Sequence, residues 1–148
     1  MQAKVILLVE DNPDDVRLTQ RALKANNISN ELVVFGDGAA ALAYLEQVSA
    51  APDSLLPAIT LLDINLPKID GLELLRRMRA NEQLRRLPVV ILTSSREEQD
   101  LMKSYDLGAN SYIQKPVDFE QFTAAVRQLG LYWLVLNEPP PRCGGEGK

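Results

Sequence analysis

Five side chains stand out for the chemistry they could do together: Glu10, Asp11, Asp63, Thr93 and Lys115. Each stands at the end of a short apolar run, so four of the chain's five such runs finish on a charged or hydroxyl group. Three carboxylates brought within a few ångströms repel one another, so a cation must join them or one of them must stay protonated. Hard oxygen ligands without imidazole or thiolate select Mg²⁺ or a similar ion, held by one or two carboxylates and several waters. A lysine and a hydroxyl nearby are what a tetrahedral anion would require. Asp63 could serve as a nucleophile, since carboxylates form acyl-phosphates. Lys115 and Mg²⁺ would then neutralise charge on a phosphoryl group in transfer.

The elements that must position these groups alternate along the chain. Lys4–Val9 is a run without polar alternation, as expected of a strand buried on both faces. Asn12 then caps a helix with Pro13 in its first turn and Val16, Ala22 and Leu23 on its apolar stripe, ending near Asn26 and Asn27. Asp14 and Asp15 read as acidic helix-start residues favoured by the macrodipole. Glu31–Phe35 is a second strand, Gly36-Asp37-Gly38 a turn, and Ala39–Val48 a second helix. Ser49–Pro57, with two prolines, reads as a loop. Ala58–Leu62 is the third strand, and Gly71–Ala80 the third helix. Pro88–Leu92 is the fourth strand, Glu97–Leu107 the fourth helix, Ser111–Gln114 the fifth strand, and a last helix starts at Phe119. Strict alternation implies right-handed crossovers and a parallel, doubly wound sheet with helices on both faces. Under the strand order 2-1-3-4-5, ligands bind outside the carboxyl ends of the strands, where all five site residues fall.

Composition removes several alternatives. Among 148 residues there is no histidine and one cysteine, Cys143, which excludes Ser-His-Asp and Cys-His machinery, histidine-ligated metals and a disulfide scaffold. Hydrophobic residues at 46% and charged residues at 24% are the profile of a folded globular chain. Apolar runs such as Leu131–Leu136 are far below the ~20 residues of a membrane span, and no signal peptide is expected before the first strand. A cytoplasmic protein is expected. The net charge of −4 argues against a nucleic-acid surface.

Val9-Glu10-Asp11-Asn12, Leu62-Asp63-Ile64-Asn65-Leu66-Pro67 with Gly71, Leu92-Thr93-Ser94 and Lys115-Pro116 together resemble the receiver domain of two-component response regulators. The resemblance covers roughly Lys4 to Leu129 and implies a flavodoxin-like (βα)5 three-layer sandwich. It implies that Asp63 accepts a phosphoryl group from a histidine kinase. It also implies that Asp11, Asp63 and the Asn65 backbone carbonyl ligate Mg²⁺ (with Mn²⁺ or Ca²⁺ able to substitute) while Glu10 acts through water. Thr93 and Lys115 would bind the phosphoryl group, and Tyr112 would turn inward when Thr93 moves. Asn65 and Ser95 fall on positions that tune dephosphorylation. The activity implied is a phosphorylation switch on the surface of the fourth helix, fifth strand and last helix, rather than turnover of a substrate.

Phe119, Phe122, Val126, Leu129, Trp133 and Leu136 step by three and four residues, a seam that a single domain can bury. Leu131, Tyr132, Leu134 and Val135 make the end of that helix apolar nearly all round, which calls for a second subunit. The expected homodimer uses Phe119, Phe122, Val126, Leu129, Tyr132 and Trp133. This end, with the loop Ser49–Pro57, is similar to the stand-alone receivers paired with bacterial phytochromes, which implies a phytochrome kinase as partner. Residues 1–136 are expected to form the receiver and 137–148 a flexible Pro/Gly-rich tail, with no output domain and no small-molecule substrate beyond phosphodonors. The rivals are an aspartyl-phosphate hydrolase, which would want Asp-x-Asp after the first strand, and a flavodoxin-type flavin protein. The flavin phosphate would meet Glu10, Asp11, Asp14 and Asp15. An adaptor that never uses the pocket is a third reading.

Overall fold

The computed structural model describes residues 5–24, 31–50, 56–94, 98, 108, 111–115 and 117–128. Strands β1 (Val5–Val9), β2 (Glu31–Phe35), β3 (Ile59–Asp63), β4 (Val89–Thr93) and β5 (Ser111–Gln114) form one sheet in the order β2-β1-β3-β4-β5. Every neighbouring pair is parallel. Helices α1 (Pro13–Lys24), α2 (Gly38–Ala50), α3 (Gly71–Ala80) and a last helix, Phe119–Gln128, cover it. This is the expected doubly wound, flavodoxin-like topology.

The alternation of side chains along buried strands divides the core in two. Leu7, Val9, Leu62, Val89 and Ile91 point to one face and pack with Ala41, Leu42 and Leu45 of α2 and Leu74, Leu75 and Met78 of α3. Ile6, Leu8, Ile59, Leu61, Val90, Leu92 and Ile113 point to the other and meet Leu23 of α1 and Phe122 of the last helix. β1, β3 and β4 are buried along their whole length, whereas β2 at the edge is half-buried and ends on Phe35, whose ring meets that of Tyr44 in a tilted contact with centroids 5.1 Å apart. With no exposed face on the three central strands, their unbroken apolar runs are what the sheet requires.

Each described helix start is held by a side chain. Asn12 Oδ1 accepts the Asp14 N–H at 2.8 Å, Asp37 Oδ1 that of Ala40 at 2.7 Å, Asp70 Oδ1 that of Glu73 at 2.9 Å, and Asp118 Oδ1 that of Gln121 at 2.8 Å. The second helix differs from expectation: it begins at Gly38 and runs through Ser49 to Ala50. The Ser49 hydroxyl donates back to the Glu46 carbonyl at 3.0 Å, so its polar side chain is satisfied within the helix instead of ending it. Gly71 lets α3 start directly beneath the end of β3. A Cβ there would lie 2.3 Å from the Asp63 carbonyl oxygen and 2.7 Å from the Ile64 Cα.

Several expectations lie outside the described residues: the body of the fourth helix, Ser95, Leu129, Tyr132, Trp133 and the tail. The side chains of Phe119 and Val126 do too. Phe122 is described, and it is buried in this chain's own core, packed in the second cluster.

Candidate functional site

Parallel strands leave the sheet at one rim, and the register aligns their ends. The Glu10 N–H donates to the Phe35 carbonyl at 2.9 Å, the Ile64 N–H to Leu92 at 3.2 Å, and the Lys115 N–H to Thr93 at 2.7 Å. Glu10, Asp63, Thr93 and Lys115 are thereby gathered from four strands, and Asp11 stands beside them, exposed.

Lys115 is the hub. Its ammonium lies 2.9 Å from Glu10 Oε1, 3.1 Å from Asp63 Oδ2 and 3.3 Å from Asp15 Oδ2. The side chains of Glu10 and Asp63 are 1% and 3% exposed, so these charges interact with little screening from water. Two backbone amides complete the carboxylates: Asn12 N–H donates to Glu10 Oε2 at 3.0 Å, and Asn65 N–H to Asp63 Oδ1 at 3.2 Å.

Burial pushes the Glu10 carboxyl up from the usual 4.5 to about 7, and the neighbouring Asp63 charge adds to this, against the lowering contributed by Lys115 and the Asn12 amide. For Lys115 burial works in the opposite direction, but the hydrogen bonds and charges of Glu10 and Asp63 outweigh it and raise the ammonium's pKa. The lysine therefore stays charged, and the Glu10 carboxyl is pushed toward its neutral form.

One carboxylate oxygen each from Glu10, Asp11 and Asp63 lie within 4.8 Å of one another, the one such trio among the described residues. All the donors are hard oxygens, a set that suits a small divalent cation. The Thr93 hydroxyl is fully buried and makes no hydrogen bond among the described residues, so it has a donor to offer an anion beside Asp63. The Thr60 and Thr123 hydroxyls are also without partners, and it is the position of Thr93 at the strand end that distinguishes it.

Tyr112, opposite Ile91 in the sheet register, is half-buried against the α2/α3 face, and burial raises its phenol. Two residues of the site went unread in the sequence. Asp15, which the sequence marks only as a helix-start acid, reaches Lys115 from the first turn of α1. Glu98 accepts the Ser94 N–H at 2.8 Å on one oxygen and the Asn65 side-chain amide at 2.8 Å on the other. These bonds hold its carboxyl below the usual range. An acid four residues beyond Ser94 was the only signal for Glu98, and acids at helix starts are commonplace.

A parallel five-stranded sheet with an acidic trio, a lysine and a buried threonine at one rim defines a receiver-type phosphoacceptor architecture. Residues 6–127 match the response regulator receiver domain, and the chain belongs to that family of signalling proteins. It is 44% identical over 131 residues to the response regulator Rcp1 of Synechocystis sp., covering 88% of this chain and 89% of that one. Among solved structures, the bacteriophytochrome response regulator RtBRR superposes with a TM-score of 0.83 at 53% identity, covering 95% of this chain and 86% of that one. The phosphorylated cyanobacterial phytochrome response regulator RcpA gives 0.71 at 41% identity, with 91% and 96% covered. The Mn²⁺-bound form of Rcp1 gives 0.69 at 41% identity, with 93% and 99% covered. Among the described residues no helix is long and apolar enough to cross a membrane.

Proposed function

We propose that this receiver takes a phosphoryl group onto a carboxylate oxygen of Asp63 from a histidine kinase of the bacterial phytochrome type. The observation that carries the reading is Lys115 held at 3.1 Å from Asp63 Oδ2 within a three-carboxylate oxygen cluster. In the transfer, the donor's nitrogen–phosphorus bond breaks with the electron pair staying on the imidazole, as the Asp63 oxygen–phosphorus bond forms. Lys115 balances the charge on the transferred oxygens, and Thr93 donates its hydroxyl to one of them; the work is positioning and electrostatics.

Asp11, Asp63 and the Asn65 carbonyl are the ligands we assign to Mg²⁺, with Glu10 acting through water. The bound ion would neutralise the phosphoryl oxygens and hold them in line. The Mn²⁺-bound Rcp1 and phosphorylated RcpA structures support both assignments by likeness. Thr93 moving toward the new charge, with Tyr112 following, would pass the signal to the surface formed by the fourth helix, β5 and the last helix. Asn65 and Ser95 would tune the lifetime of the phosphorylated state. A receiver of residues 1–136 acting in the cytoplasm as a homodimer through the last helix completes the proposal. RtBRR and RcpA support the phytochrome pairing by likeness.

The test is Asp63→Asn. Labelling from phosphorylated kinase or from acetyl phosphate with Mg²⁺ is expected to vanish. Label persisting in the variant would overturn the assignment.

A further inference from the structure

The phosphoryl pocket has two kinds of donor. Lys115 and the Thr93 hydroxyl lie inside the rim; the Ser94 backbone N–H and the Asn65 side-chain amide lie at its mouth, on the loops that follow β4 and β3. The mouth donors are not idle. Glu98 spans them, with Oε1 accepting from Ser94 and Oε2 from Asn65, each at 2.8 Å. A carboxylate gripped by two amides beside a phosphoacceptor is a planar anion standing where oxygens of a tetrahedral anion need hydrogen bonds. Asn65 is also joined to the acceptor itself, since its backbone N–H donates to Asp63 Oδ1 at 3.2 Å. Glu98 is thus one residue removed from the reacting oxygen.

We propose that Glu98 is an internal competitor for the phosphoryl group, a positioning residue that sets both the rate at which Asp63 is phosphorylated and the lifetime of the product. This rests on Asp63 being the acceptor. Before transfer, the Glu98 carboxylate occupies the Ser94 and Asn65 donors and repels an incoming phosphodonor. After transfer, the phosphoryl oxygens compete for the same donors, and like-charge repulsion favours release of Glu98. Its release breaks the links of Glu98 to Ser94 and Asn65, so the charge on Asp63 is felt at the mouth of the pocket.

The experiment compares the wild-type chain with Glu98→Gln, Glu98→Ala and Glu98→Asp, using acetyl phosphate and Mg²⁺. It measures the rate of labelling and the decay of label after the donor is removed. Removing one charge close to the reacting centre is expected to speed labelling about fivefold in the glutamine and alanine variants. The label should also decay more slowly in both. The aspartate variant keeps the charge and should label at nearly the parent rate. A glutamine variant as slow as the parent, or an aspartate variant as fast as the alanine one, overturns the role given to the charge. Absence of label in the wild-type chain would instead remove the acceptor assignment on which the role depends, so the two failures are told apart.

Discussion

Two clusters of charge, one around Lys115 at the rim of the sheet and one around Glu73 on the outside of α3, pair carboxylates with cations at nearly the same distances. Glu73 is flanked by Arg76 and Arg77 at 3.0 Å each; Lys115 is flanked by Glu10, Asp63 and Asp15 at 2.9 to 3.3 Å. They differ in burial. Glu73, Arg76 and Arg77 are between 38% and 51% exposed, whereas Glu10 and Asp63 are nearly sealed from water. The two glutamates consequently titrate in opposite directions. Glu73 is lowered by Arg77 and Arg76, but Glu10 is raised by burial despite its lysine. Ion-pair geometry alone therefore does not tell a surface staple from a functional site. The desolvation cost decides, and a site that keeps more carboxylates than ammoniums in a dry place is held ready for a further cation.

Lys115→Met breaks this comparison most severely. It strands Glu10 and Asp63 without their cation, and the expected cost is about 3–5 kcal/mol of unfolding free energy without divalent ions. Mg²⁺ should recover part of that cost by binding the folded state. Denaturant unfolding with and without Mg²⁺ checks both; a loss no greater than that of Arg77→Ala would erase the distinction.

Next in size is the pH response of Glu10 in metal-free protein. Its folded-state pKa of about 7 lies above the ordinary 4.5, so the folded chain holds that proton more tightly than the unfolded one. The stability it contributes is complete below about pH 4.5 and is lost as pH rises through about 7. Melting temperatures measured across that window should fall in the wild-type chain, with the decline flattened in Glu10→Gln.

The smallest effect belongs to the surface cluster, where Arg77→Ala should cost little, and less still in high salt. The sign of its pH dependence is reversed. Glu73 is lowered, so its contribution is present above its unfolded pKa and fades as the solution is acidified through the folded value. Chemical denaturation at low and high salt measures it.

Much of this was legible in the chain because a parallel sheet makes strand ends predictable. Val5–Val9, Ile59–Leu62 and Val89–Leu92 carry no polar alternation, which only strands covered on both faces tolerate, and the residue after each run must emerge at the common rim. Glu10, Asp63, Thr93 and Lys115 could therefore be grouped before any distance was known. The end of α2 lies two residues beyond the expected one because Pro52 and Pro57 mark a loop without fixing its first residue, and the Ser49 hydroxyl is satisfied by the Glu46 carbonyl.

Asp15 could not be singled out as a neighbour of Lys115, since an acid in the first turn of a helix is commonplace and only packing brings its carboxylate to a lysine 100 positions away. The same holds for Glu98 on Asn65, 33 positions away. The order of residue types thus determined the sheet, its rim and the identity of the acidic trio, because periodicity and strand-end position are local properties of the chain. How far burial pushes the Glu10 carboxyl up, and which outer acids close on the pocket, tertiary structure alone decided. Desolvation and Coulomb energies depend on distances between segments that sequence leaves far apart.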